Sequence, residues 1–107
     1  MNIIIKNLFP GNYCAIAIYP FIILKSADLT NDTILMNHEK IHLRQQKELY
    51  WLFFFVWYLL EFFIRLTITQ NWERAYRSIS FEEEAYANEG NLQYLSSKKK
   101  YSFLSYL

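Results

Sequence analysis

The sequence predicts an α+β fold, in which a small antiparallel strand region packs on a mostly helical body. Three observations predict it. Isoleucine and other β-formers crowd the first 25 residues. Residues 21–89 contain neither glycine nor proline, which leaves a long uninterrupted stretch for helices. Apolar residues in the second half recur at helical spacing.

The elements follow in order. Residues 3–5 are all isoleucine, a strand signal, and "FPGN" at 9–12 is a turn signal. The runs "YCAIAIYP" and "FIILKS" read as two further strands, with Pro20 at an edge or at a bend between them. "SADLTND" is a polar loop, and Asp32 at its end is a good N-cap for a helix reaching about Leu49. A very apolar helix follows over residues 50–68, either continuous with the first or bent away from it. Asn71 caps a short helix over "WERAYRSI". Ser80-Phe81-Glu82-Glu83 has the serine-to-glutamate spacing of a capping box, which starts a last main helix running to about Leu95 unless Gly90 ends it early. The tail "KKKYSFLSYL" is basic, then aromatic; it is either core packing or a flap over a neighbouring cleft.

The bulk numbers bound the function. With 107 residues, the chain has the size of one domain, 1–107. Its aromatic fraction of 20% lets few residues bury much area. A net charge of +1 gives no electrostatic case for nucleic acid. The single cysteine, Cys14, excludes a disulfide framework and a thiolate zinc cage, and reads as a small residue in an apolar run. The uncharged stretch from 50 to 60 is shorter than the ~20 residues that span a bilayer, so a buried helix is expected there, with membrane contact through residues 50–68 as the alternative. No convincing signal peptide is visible, so the expected location is the cytoplasm or its membrane surface.

The chemistry concentrates in "HEKIH". His38 and His42 stand four apart, on one face of a helix, where both imidazoles can aim at one point. Two such histidines suit zinc, and Glu39 is placed to act as a general base on a water without being a ligand. Catalytic zinc needs a third protein ligand. The chain has no third histidine, so a carboxylate must serve. Glu48 lies on the same helix, and Glu61 has a partner one turn on in Arg65. The cluster "SFEEEAYANE" supplies the best candidates. Glu83 points away from the stripe through Phe81, Ala85, Leu92 and Leu95, while Glu82 and Glu84 flank it on opposite sides. Periodicity leaves those two open.

At this point the sequence resembles the gluzincin metallopeptidases, which carry His-Glu-x-x-His on one helix and a glutamate ligand on a later one. Some branches read Glu-x-x-Ala-Asp at the later motif; here Glu82-x-x-Ala85-Tyr86 matches at the glutamate and the alanine. The chain is also similar in size and order of elements to the stand-alone minigluzincin domains, over residues 11–95. The resemblance implies zinc held by His38, His42 and Glu82, with Glu39 as base. It implies hydrolysis of a peptide or unfolded protein laid along an edge strand, for which residues 13–24 are the candidate. Tyr86 departs from the family's aspartate, and Glu89 one turn on is placed to take its part beside a ligand histidine. Gln45 or Gln46 can support a ligand, and Tyr76 or Arg77 an oxyanion. Two competing expectations are a non-catalytic zinc-stabilised interaction or sensor domain and a small membrane-associated protein.

Overall fold

The computed structural model describes residues 1–5 and 14–107, so the turn expected at 9–12 lies outside the described residues. The fold is α+β and mostly helical. Three strands, β1 (Asn2–Ile4), β2 (Ala15–Ile18) and β3 (Phe21–Leu24), form a sheet in the order β1-β3-β2. The strands β2 and β3 are an antiparallel hairpin turned at Tyr19 and Pro20, as the proline suggested. The sheet is mixed rather than purely antiparallel, because β1 joins β3 in parallel. Ile22 and Leu24 of β3 are buried against Met36 of the first helix.

Helix α1 (Thr33–Glu48) starts where Asp32 accepts a hydrogen bond from the Leu35 amide at 3.0 Å. It is separate from α2 (Leu52–Thr69). Between them Tyr50 and Trp51 both hold positive φ angles, 55° and 62°, which side chains with a Cβ rarely adopt. That reversal folds α2 back toward the helices that follow. Asn71 caps α3 (Trp72–Ser78) by accepting from the Arg74 amide at 3.0 Å.

Helix α4 (Ser80–Asn88) differs from its sequence expectation at both ends. The capping box does not form, because Ser80 is already inside the helix and Ile79 occupies the cap position. Glu61 of α2 does the capping from outside. Its carboxylate accepts from the Ser80 amide at 2.6 Å and from the Ser80 hydroxyl at 2.7 Å. A negative charge there also suits the helix dipole. Arg65 remains near Glu61 at 3.8 Å, yet Ser80 is the closer partner. At the far end α4 stops at Asn88, short of Leu95, and Gly90 lies in the turn that follows.

The main core joins Phe54 and Phe62 of α2, Ala75 of α3, Ile79, Phe81 of α4 and Phe103 of the tail. The Phe81 ring sits 4.5 Å from Phe54 and 4.4 Å from Phe103. The tail is therefore core and not a flap. After a short helix α5 (Tyr94–Ser97), Ser102 and Tyr94 hydrogen-bond to Glu84 on α4, and Phe103 is driven beneath the helices. Helix α2, expected to be buried, is buried along one stripe alone; its opposite face is exposed from end to end.

Candidate metal centre

Helix α1 carries His38, Glu39 and His42; helix α4 brings Glu82 across to meet them. Ala85 has no exposed surface at this helix–helix contact, and its small side chain lets α4 come close. The His38 and His42 Nε2 atoms lie 3.1 Å apart. Glu82 Oε1 lies 3.3 Å from the first and 3.0 Å from the second. Four donors around a zinc at 2.0–2.1 Å stand about 3.3 Å from one another in a tetrahedron. The three side chains therefore match the size of such a site, and all three are buried.

The hydrogen bonds behind the histidines set which nitrogen faces inward. His38 Nδ1 lies 3.0 Å from Glu89 Oε1, and a carboxylate accepts, so Nδ1 carries the proton. His42 Nδ1 lies 2.8 Å from Gln45 Oε1. The Gln45 amide cannot be turned over, because its Nε2 donates to the Phe81 carbonyl at 3.1 Å and to Glu84 Oε1 at 2.8 Å. His42 Nδ1 is therefore protonated too. In the neutral rings both Nε2 lone pairs then face each other and the Glu82 oxygen. Three acceptors converge where a positive charge is required.

The electrostatics agree. Burial disfavours a charged His42, but the adjoining Glu82 carboxylate outweighs it and holds the imidazole up at about 9. Burial likewise opposes the charge on Glu82, yet a protonated His42, the close Nε2 atoms of both histidines and the Tyr58 hydroxyl keep its carboxyl well below the usual range. The Tyr58 hydroxyl donates to Glu82 Oε2 at 2.6 Å, fixing the oxygen that does not face the histidines.

Glu39 is different. It is buried, but its carboxylate accepts no hydrogen bond from a described residue, and it lines a cavity of about 370 Å³ together with His38, Tyr76, Tyr86 and Glu89. Burial raises its carboxyl above the ordinary value, against the pull of His42 and His38. Cys14 and Ala15, beside and at the start of β2, also line it. The Cys14 thiol is raised by burial and by Glu39, which makes it a poor nucleophile.

Glu82 thus joins the histidines, as the alanine register implied, and Glu84 does not. Glu84 is buried on the far side, where it accepts from Gln45, Tyr94 and Ser102 and lies 3.6 Å from Lys98. Glu89 stands behind His38, while Tyr86 packs its ring on His38 at 4.6 Å under the Arg77 guanidinium. Arg77 therefore holds Tyr86, and Tyr76 lies in the cavity wall. Gln46 proves to brace the edge strand: it accepts from the Tyr19 amide at 2.6 Å and donates to the Ala17 carbonyl at 2.7 Å. Tyr58 was missed, and its signal was weak, since a tyrosine in "FFFVWYLL" reads as core.

Comparison of the chain with protein-family models, with curated proteins and with solved structures finds no match.

Proposed function

We propose that the chain is a zinc-dependent hydrolase of peptide bonds, of the gluzincin type. The observation that carries the reading is the enforced direction of both imidazoles, with their bare Nε2 atoms converging on Glu82. His38, His42 and Glu82 would hold the ion. When bound, zinc supplies Lewis acidity, which acidifies a water and polarises a carbonyl oxygen.

Glu39 has the work of moving the proton. Its carboxylate opens on the cavity beside His38 and is committed to no described partner. A raised proton affinity suits a group that first takes a proton from water and then delivers it to the leaving amine. Glu89 and Gln45 keep the imidazoles in one tautomer throughout, and Tyr58 holds the outer oxygen of Glu82.

A peptide or unfolded protein as substrate is supported by the strand beside the cavity. The Cys14 carbonyl accepts from the Lys25 amide just past β3, so the next residue, Ala15, turns its backbone groups to the edge that no described strand covers. An extended chain can pair there. Gln46 closes the edge at Ala17 and Tyr19, which limits the pairing to the stretch around Ala15.

A non-catalytic zinc-stabilised domain is the competing reading. It calls for four protein ligands, whereas the group found among the described residues has three. Glu39→Gln tests the choice. The expected result is unchanged zinc content with casein hydrolysis reduced by about 100-fold or more. Wild-type protein that carries zinc and cleaves no unfolded protein would leave the structural role.

A further inference from the structure

Helix α2 is built the wrong way round for a soluble surface. Its inner stripe carries the polar side chains, Tyr58, Glu61 and Arg65, alongside Phe54 and Phe62. Its outer face, made of residues such as Phe53, Val56, Leu60, Phe63, Ile64 and Ile68, contains no charged residue, and each of these is exposed. Over its 18 residues the mean hydropathy is 1.7, with 17% of the helix buried. A soluble core helix would be covered and an ordinary surface helix would be polar outside; α2 is neither.

The surroundings of this face identify its counterpart. The helix is about 27 Å long at 1.5 Å per residue. Exposed aromatic residues bracket it, Tyr50 and Trp51 before the first turn and Trp72 after the last. Amphipathic rings of this kind favour the boundary between lipid and water. A basic rim adjoins the N-terminal end, where Arg44, Lys47 and Lys100 share one depression with Tyr50 and with Glu48, whose charge is matched by Lys98 at 2.8 Å, and Lys99 is exposed beside them. An apolar strip with aromatic ends and a cationic rim complements an anionic lipid surface.

The inner stripe decides how the helix sits. Tyr58 holds Glu82, and Glu61 caps the helix that bears it. Spanning the bilayer would carry those buried polar bonds and α4 into hydrocarbon. Lying flat leaves them in place and covers the outer face along its full length.

We propose that α2 is an in-plane membrane anchor, which docks the protein on anionic bilayers with its metal centre on the opposite side of the same helix. The proposal does not depend on the ion or on hydrolysis.

The test is co-sedimentation of the whole chain with two kinds of vesicle, phosphatidylcholine alone and an equal mixture of phosphatidylcholine and phosphatidylserine. The expected result is stronger partition onto the mixed vesicles. Leu60→Gln with Ile64→Gln, both on the exposed face, should lower it by at least about tenfold on either composition. Lys99→Gln with Lys100→Gln should lower it on the mixed vesicles by about fivefold per lysine and leave phosphatidylcholine partition unchanged. Circular dichroism of each variant verifies that the fold is intact. A protein that stays monomeric and unbound with both vesicles overturns the proposal. So does equal partition onto both, which removes the anionic surface. A defined dimer that does not partition and is dissociated by Leu60→Gln with Ile64→Gln would assign the face to a second copy instead.

Discussion

Gln45 Nε2 donates to Glu84 Oε1 at 2.8 Å, and through this bond a residue far from the cavity sets the tautomer of a histidine within it. The chain runs from the tail, through Tyr94 and Ser102 on Glu84, to Gln45 and then to His42. Each amide or carboxylate has its donors assigned by the next. Gln45→Met keeps the volume and breaks the chain. The expected outcome is a 10- to 100-fold loss of zinc affinity, in the range for removing a group that orients a metal ligand. Competition titration with a chromogenic chelator measures it, and an unchanged affinity would show that His42 needs no such guide.

Glu82 and Glu84 should part company on substitution. Glu82→Ala removes one of three acceptors and is expected to abolish stoichiometric zinc, as His42→Ala should. Glu84→Ala is expected to keep stoichiometric zinc at a weakened affinity, since the Phe81 carbonyl still orients Gln45, and to lose about 3 kcal/mol of stability, because a fully buried carboxylate with several donors is deleted. Elemental analysis and urea unfolding separate the two effects. Loss of zinc at position 84 with retention at 82 would reverse the assignment.

How far the sequence reached is clearest at these residues. Local rules found Asp32 and Asn71 as caps, since each needs only the amide three residues on. The i, i+4 geometry brought His38 and His42 together for the same reason. Glu82 was separated from Glu84 by a resemblance at Ala85, because the two flank the buried stripe alike and periodicity cannot tell which neighbour each will meet. Glu61 shows the opposite case. Sequence paired it with Arg65 one turn away, but its stronger partner, Ser80, lies on another helix, and that contact pre-empts the local capping box. Tertiary partners of this kind leave no trace in spacing.

Glu61→Ala should therefore act at a distance. It strips the first turn of α4 of an external cap and a favourable charge, at an expected cost of about 1–2 kcal/mol. Glu82 sits in that same first turn, so zinc affinity should fall with it. Arg65→Ala, which leaves the cap in place, should change neither by much. Thermal unfolding of the two variants, each with and without zinc, checks this; equal effects would return the Glu61–Arg65 pair to first importance.

Metal removal should be felt by the whole fold. The three candidate ligands come from two helices, so a bound ion would tie α1 to α4 and stabilise only the folded state. At a free zinc concentration of about 1,000 times Kd the gain is about 4 kcal/mol. Chelation with EDTA is expected to lower Tm, and added zinc to restore it. A Tm that ignores both would mean that the convergence of His38, His42 and Glu82 is satisfied by protons alone.

The tail gives the sharpest test of what the fold requires. The sequence left open whether it covers the metal site or fills the core, and the placement of Phe103 among Phe54, Phe62 and Phe81 assigns it to the core. Deleting a buried phenylalanine side chain costs about 3–5 kcal/mol. In a chain of this length, that corresponds to a fall in Tm of at least about 10 °C. Phe103→Ala should show it, while Leu104→Ala, at an exposed neighbour, should not. Truncation after Ser97 removes Phe103 and the Ser102 bond to Glu84 together, and with them part of the support for Gln45. The truncated chain should therefore lose stability and zinc affinity in parallel and gain no hydrolysis of casein. If truncation instead leaves Tm intact and raises a cleavage that Glu39→Gln abolishes, the tail restrains the enzyme, and its packing against α4 is a shut state of the protein.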